Sequence, residues 1–358
     1  MSKLRSIMDK CLPQAFRRLA LVLPICVFMA FSPRTAAGQM LSARYASAVL
    51  EAGTGRLLFS SNADEPRHPA SLTKMMTLYM VFDALRRGEM RLDQRLAMTE
   101  TASSKPASKL GLPAGRTITL ENAIYAVVTK SANDVASLLG EALGEGSEAR
   151  FAQLMTLRAR AIGMSGTTFR NASGLPDIDQ VSTARDMAQL GYRLFTDFPE
   201  YYHFFRTRTH AMGGITLRNH NRMLDSFEGV DGIKTGYVDA SGFNIVTSAV
   251  RRNRRIIAVV FGGRSWHERD RHAAVLLEQG FASIGVGQPP LLLASAVASP
   301  IMARAAAPVA RPSKGQATAL RNLSPRPLSS ERRQQSSNDR RSSSPPAVVR
   351  RGERKRGG

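Results

Sequence analysis

The chain has 358 residues, enough for one large or two modest domains, and a formal net charge of +22. Its two cysteines, Cys11 and Cys26, both lie near the N-terminus, so the rest of the chain excludes a disulfide framework, a cysteine nucleophile and thiolate metal sites. The charge is uneven: residues 1–38 carry a net +5 and residues 285–358 a net +11, which leaves about +6 for the middle and makes the basicity mainly a property of the tail.

Residues 1–38 read as a secretory signal peptide. A basic start (Lys3, Arg5, Lys10, Arg17, Arg18) precedes an apolar run, Leu19 to Phe31, and then the small residues Thr35-Ala36-Ala37-Gly38. Cleavage is expected after Ala37, because the apolar run is short for a membrane span. The expected mature protein is exported, periplasmic or cell-wall associated.

Residues 39–284 read as one globular domain. Ala46 to Phe59 suits two short strands around a glycine turn. A helix is expected from Ser71 to about Arg87, stopped by Gly88. Further helices are expected at Ala123–Thr129, Asp134–Leu143 and Ser147–Ile162, with a break at Ser131–Asn133, and another at Ser182–Phe195 with Ser182 as its cap. Strand signals return at Gly232–Gly236, Phe243–Val250 and Arg255–Phe261, with Arg251–Arg254 as a hairpin tip, and a last helix covers His267–Ile284. Strands at both ends and helices between predict an α+β fold. Its antiparallel sheet is built from both ends of the domain and flanked by helices, with a helical subdomain inserted. Residues 285–358, rich in Pro, Ser and Arg, read as a disordered basic tail that buries too little apolar surface to order itself.

Three short motifs carry chemistry. Ser71-Leu-Thr-Lys74 puts a hydroxyl and an amine one helical turn apart, and it is the one Ser-x-x-Lys match in the chain. A serine needs a base to become a nucleophile, and a lysine serves as that base when its pKa is pushed far down. Ser131-Ala-Asn133 is a weaker match, since Ser-x-Asn recurs at Ser60 and Ser336. Its place between two predicted helices selects it, as a hydroxyl to relay a proton and an amide to hold Lys74. Lys234-Thr235-Gly236 occurs once, on a predicted strand, where a strand edge pairs with an extended peptide, a cation and a hydroxyl bind a carboxylate, and glycine lets a backbone approach. Each motif alone is explained by a helix cap, a loop cap or an exposed strand end; their order is what raises them above that.

Together the three motifs match the set shared by class A β-lactamases and penicillin-binding proteins. Pro69–Thr77, Lys130–Asp134, Gly229–Gly236 and Phe261–Arg264 closely resemble the low-molecular-mass penicillin-binding proteins, the serine-type D-Ala-D-Ala carboxypeptidases, over about residues 42 to 284. The resemblance implies a β-lactamase/transpeptidase-like fold and removal of the terminal D-alanine from peptidoglycan stem pentapeptides, with penicillins and other β-lactams as inhibitors. It implies Ser71 as the acyl-ester nucleophile, Lys74 as proton acceptor, and Ser131 and Asn133 as the proton-transfer and orienting pair. Lys234, Thr235 and Gly236 would bind substrate, with Arg264 supporting the carboxylate, and the backbone N–H groups of Ser71 and Tyr237 would form the oxyanion hole. Tyr237 stands where the best-known members carry His. No C-terminal amphipathic helix is evident, so membrane attachment by that route is not expected.

The competing readings share the motifs or set them aside. A D,D-endopeptidase acting on cross-links would look the same. A β-lactamase needs a glutamate for deacylation, and none of Glu141, Glu145, Glu148, Asp177, Glu200 or Glu228 stands in a Glu-x-x-x-Asn arrangement. A basic binding protein would use the tail to grip anionic cell-wall polymers, not nucleic acid. No metal or cofactor is expected; His267 and His272, five apart, do not share a helix face.

Overall fold

In the computed structural model, which describes residues 43–287, the sheet joins the two ends of that range. Strand β1 (Ala46–Glu51) is buried throughout and pairs with β2 (Arg56–Ser61) on one side. On its other side it pairs with the distant β9 (Arg254–Gly263). The five-stranded order is β2-β1-β9-β8-β7, with β7 at Val230–Val238 and β8 at Gly242–Arg251, antiparallel throughout. The α+β expectation holds, with the sheet assembled from both ends. Arg252 and Asn253 form the expected β8–β9 tip, both at positive φ (49° and 58°), the primed-turn geometry that matches strand twist.

The rest of the chain lies between β2 and β7. A 3-10 turn, Ala70–Thr73, leads into α1 (Lys74–Arg86). A ribbon of β3 (Arg95–Ala97) and β4 (Thr117–Thr119) flanks the short α2 (Glu100–Ser103). Helix α3 (Leu120–Tyr125) passes into a π-helical turn, Ala126–Lys130, before α4 (Asn133–Leu143) and α5 (Glu148–Ala161). Then come α6 (Ala184–Asp197), a hairpin of β5 (Thr209–Met212) and β6 (Ile215–Arg218), and α7 (Met223–Ser226). Helix α8 (Trp266–Ser283) ends the described fold.

Period-2 alternation splits the core between the two faces of the sheet. Val49, Ile245, Ala249 and Ile256 pack under Ala273, Leu277 and Phe281 of α8. Ala48, Leu50, Val246 and Ile257 face α6 and α1. On that side Gly191 of α6 lies against Ile233, Ile257 and Val246, where an added Cβ would stand 3.1–3.3 Å from their methyls. Helix α1 is apolar on almost every side, so it is the internal helix of the domain. Phe82, at its middle, packs among Phe198, Tyr201, Phe204 and Phe205, and burial of such a ring is worth about 1.5–3 kcal/mol.

Two boundary differences from the sequence reading bear on the site and its surroundings. Ser71 lies in the 3-10 turn, and Lys74 is the first residue of α1. Helix α6 is capped by Thr183, whose hydroxyl accepts from Asp186 N at 3.0 Å, and not by Ser182. The backbone of Ser182 is bridged to Arg67 in both directions (2.7 and 2.8 Å), which fixes it as extended chain. The signal peptide, both cysteines and all but the first three residues of the tail lie outside the described residues. Among the described residues no helix is long and apolar enough to cross a membrane.

Candidate active site

Ser71 follows a turn that the chain adopts under constraint. Ala70 takes φ +51°, a left-handed conformation that costs a residue with a Cβ. Gly174, at φ +82°, holds it there: a Cβ on Gly174 would come within 1.8 Å of Ala70 O. Such strain survives where the surroundings over-determine it, as at functional turns.

Lys74 points back from α1 into a fully buried position. Its Nζ lies 3.1 Å from Ser71 Oγ, 2.6 Å from Asn133 Oδ1 and 2.5 Å from the Ser173 carbonyl. Burial, and then the charge of Lys234, push its pKa well below that of an ordinary lysine, while Asp134 and Glu148 pull the other way. A neutral amine at this place is positioned to take the Ser71 proton.

The Ser173 carbonyl is fixed by its own loop, because Asn171 Oδ1 accepts from the N–H groups of Ser173 (3.2 Å) and Gly174 (2.7 Å). No side-chain pattern in the sequence marks Ser173, since it contributes main chain. The local Asn-x-Ser-Gly turn was the one available signal.

Ser131 closes the π-turn at φ 58°, ψ 37°, again left-handed. Its hydroxyl is buried without a hydrogen-bond partner, a costly state for a polar atom. π-Turns of this kind occur often at functional sites. Asn133 is held from its other end: Nδ2 donates to Pro106 O (2.9 Å), so Oδ1 faces Lys74. Asp134, beside it, accepts from the N–H groups of Leu110 and Gly111 (both 2.9 Å) and ties the 106–111 loop to the rim.

β7 is an edge strand of the sheet, so one row of its backbone groups remains for an extended ligand. Lys234 is buried, donates to Thr235 O (2.9 Å), and has its pKa pushed down to about 7 by burial and then by Arg269. Thr235 lines the cleft. Gly236 lies against the Ser71 turn: a Cβ there would stand 3.0 Å from Pro69 O and 3.1 Å from Ser71 N. Tyr237 is 52% exposed; its ring packs on Phe243 and its hydroxyl donates to Asp239 (2.6 Å).

Seven of the nine expected side chains or glycines therefore come together around Ser71, and Tyr237 borders them. Arg264 does not join them. It is exposed and paired with Glu268 at 2.9 Å, away from the cleft lining. Arg269, in the first turn of α8, does face the cleft. It is buried, lines the cleft, donates to Asn244 O (3.2 Å), and acts on the charge of Lys234. The missed signal was its spacing: Arg269, Ala273, Leu276, Leu277 and Gly280 form the buried face of α8, and a lone cation on such a face needs a reason. His220 was also missed; it lines the cleft between Asn219 and Asn221, and desolvation with the charges of Lys234, Lys130 and Lys74 keeps it below its ordinary pKa.

The cleft above these groups holds about 1550 Å³. It can seat an extended peptide with an anionic end, with Ser71 below the carbonyl. Among the described residues no group of three or more His, Cys, Asp or Glu side chains is arranged to hold a metal.

Known proteins similar to this chain have been identified by sequence and by fold. Residues 33–265 match the family described as D-alanyl-D-alanine carboxypeptidase. The chain is 33% identical over 242 residues to D-alanyl-D-alanine carboxypeptidase DacF of Bacillus subtilis, covering 66% of this chain and 62% of that protein. It is 33% identical over 240 residues to DacA of Escherichia coli, covering 65% and 59%. The match thus spans about three fifths of the length of these curated relatives. Among solved structures, penicillin binding protein 5 from Haemophilus influenzae superposes with a TM-score of 0.64 at 32% identity, over 66% of this chain and 70% of that one. A penicillin-binding protein from Listeria monocytogenes in its cefotaxime-bound form gives 0.62 at 33%, over 67% and 98%. The chain belongs to the D-alanyl-D-alanine carboxypeptidase family.

Proposed function

We propose that this chain is a serine D,D-carboxypeptidase that removes the terminal D-alanine from peptidoglycan stem pentapeptides. The observation that carries the reading is the Ser71 hydroxyl 3.1 Å from a buried lysine amine of lowered pKa, below an edge strand that bears a cationic pocket. The stem peptide lies along β7, and its terminal carboxylate is held by Lys234, Thr235 and Arg269. Lys74 takes the Ser71 proton, Ser71 Oγ bonds to the penultimate carbonyl carbon, and the backbone N–H groups of Ser71 and Tyr237 receive the oxyanion. The contact of Gly236 with Ser71 N supports that pairing, and each donor in such a hole is typically worth about 2.7–4 kcal/mol. The C–N bond breaks, and the proton returns through Lys74 and Ser131 to the leaving D-alanine nitrogen. Water then cleaves the Ser71 ester. Asn133 orients Lys74 throughout.

β-Lactams acylate the same serine in this reading. The β-lactamase alternative is disfavoured by the site's acids. Among the described residues no carboxylate hydrogen-bonds Ser71 or Lys74. Glu141 is engaged by Thr99, and Glu148 by Ser137, Lys105 and the Ala172 N–H. The export inferred from residues 1–38 puts the enzyme where peptidoglycan is, and the basic tail suits anionic wall polymers.

The test is mass spectrometry of the protein after incubation with a penicillin, beside Ser71→Ala, followed by assay of D-alanine release from a pentapeptide. A stoichiometric adduct on the Ser71 peptide and D-alanine release, both lost in the variant, are expected. Absence of any adduct on the wild type overturns the reading.

A further inference from the structure

Besides Ser71, the Lys74 amine reaches two acceptors among the described residues, the Ser173 carbonyl and Asn133 Oδ1, and loops set both. Ser173 follows Ala172. Asn133 Nδ2 donates to the carbonyl of Pro106, which follows Lys105. One carboxylate holds both loops. Glu148 Oε1 accepts from the Ala172 N–H (3.0 Å), and Oε2 accepts from Lys105 Nζ (2.7 Å) and from Ser137 Oγ of α4 (2.8 Å). Ala172 is fixed on its other side as well, since its carbonyl accepts from Thr77 Oγ1 (2.7 Å), one turn after Lys74 on α1.

A glutamate at the first position of a helix has an ordinary reason to be there, because an acid offsets the partial positive charge of the free N–H groups. That reason leaves the side chain in solvent, as with Glu100 of α2 and Glu121 of α3. The Glu148 side chain instead turns inward and is 11% exposed. Room for it comes from Gly140 of α4, where a Cβ would stand 2.8 Å from Ala172 Cβ and 3.5 Å from Glu148 Cγ. A carboxylate so placed is costly unless it is paired, and this one has a cation and two further donors. Its charge also reaches the amine. Lys74 faces Lys234 from β7, His220 from the segment before α7, Asp134 from α4 and Glu148 from α5. Glu148 favours the ammonium form and so works against burial and Lys234.

We propose that Glu148, paired with Lys105, is a positioning residue for the proton acceptor. It clamps the two loops whose carbonyls fix Lys74 and Asn133, and so keeps the amine on the Ser71 hydroxyl. It touches neither Ser71 nor the cleft lining, and it acts only through Lys74 and the loops. This rests on the acyl-transfer reading of Ser71 and Lys74.

The test is the pH dependence of penicillin acylation by the full chain, followed by stopped flow, with melting temperatures as a check on folding. Wild type is compared with Glu148→Gln, Glu148→Ala and Lys105→Met. Glu148→Gln removes the charge and keeps an oxygen for the Ala172 N–H. Lys105→Met removes the cation and leaves the carboxylate unpaired near Lys74. The acid limb of the profile is therefore expected at lower pH in Glu148→Gln and at higher pH in Lys105→Met. The plateau rate is expected to fall roughly tenfold in each, and roughly 100-fold in Glu148→Ala, which also releases the Ala172 N–H. A merely structural role would lower plateaus and melting temperatures without moving the limbs in opposite directions. If Glu148→Ala does not fold, the opposite shifts in the two milder variants still decide. Limbs that stay put or move together, or a Glu148→Ala plateau at the wild-type level, overturn the clamp. A wild type that takes up no penicillin overturns the underlying reading instead.

Discussion

Two buried lysines with opposite needs define the residue scale. In the proposed reaction Lys74 accepts a proton and so must be neutral, and kcat/KM should rise as pH climbs through its depressed pKa. In that reaction Lys234 holds a carboxylate and so must be charged; its pKa is pushed down to about 7, so kcat/KM should fall again above that point. A pH profile of D-alanine release should be bell-shaped, and a profile still rising at pH 9 would contradict the role of Lys234. The same shift has a stability consequence. Between about 7 and the ordinary value of 10.5 the unfolded chain holds a proton on this residue that the folded chain lacks, so stability increases with pH across that window, falls back as pH drops from 10.5 to about 7, and changes no further through this group below that. Lys234→Met removes the effect. It should be more stable than wild type in denaturant at pH 6, with the gap narrowing by pH 9; a constant gap would refute the linkage. Ser131 has a comparable tension, with a left-handed backbone and an unpartnered hydroxyl. Ser131→Gly should gain roughly 1 kcal/mol of stability, since glycine carries no penalty there, while penicillin acylation slows by about 10- to 100-fold. Calorimetry and stopped-flow acylation would separate the two effects.

At the scale of elements, the site is a junction between an edge strand, a 3-10 turn and a π-turn, and its tolerance is set where they touch. Gly236 of β7 is the closest approach. Gly236→Ala would press a methyl against Pro69 O and Ser71 N, moving the strand from the nucleophile by a few tenths of an ångström. Acylation should fall by roughly 100-fold, as expected for misplaced reacting groups, while the melting temperature shifts little. Retained acylation would mean that the turn follows the strand. Much of this junction was legible in the sequence, because β-branched runs mark β8 and β9 and an apolar run marks α1. The chemistry-bearing side chains stood in three motifs. What was hidden depended on main chain or on three-dimensional competition. The Ser173 carbonyl has no residue-type signal. Thr183 displaced Ser182 as cap because Ser182 was already bridged to Arg67. Arg269 lies on the buried face of α8 while Arg264, before the helix starts, stays exposed, a contrast that residue type alone does not announce.

At the scale of the whole molecule, the sheet joins both ends of the described range, and the site lies where its edge meets the helical block. Both cores and every proposed catalytic group fall within residues 43–287. The sequence beyond 284 adds a net charge of +11 to a middle of about +6, so its contribution to attachment should be electrostatic and separable from catalysis. A chain ending at Gly287 should therefore acylate with penicillin and release D-alanine at the full-length rate. On isolated cell walls the full chain should be retained more strongly at low salt, and its advantage should fall steeply as salt rises, since binding through many Arg side chains releases counterions. Equal retention of the two chains at all salt concentrations would exclude tethering by the tail. Slower acylation of the shorter chain would show that the C-terminal residues also serve the fold or the site, beyond the closure of one face of the sheet by α8.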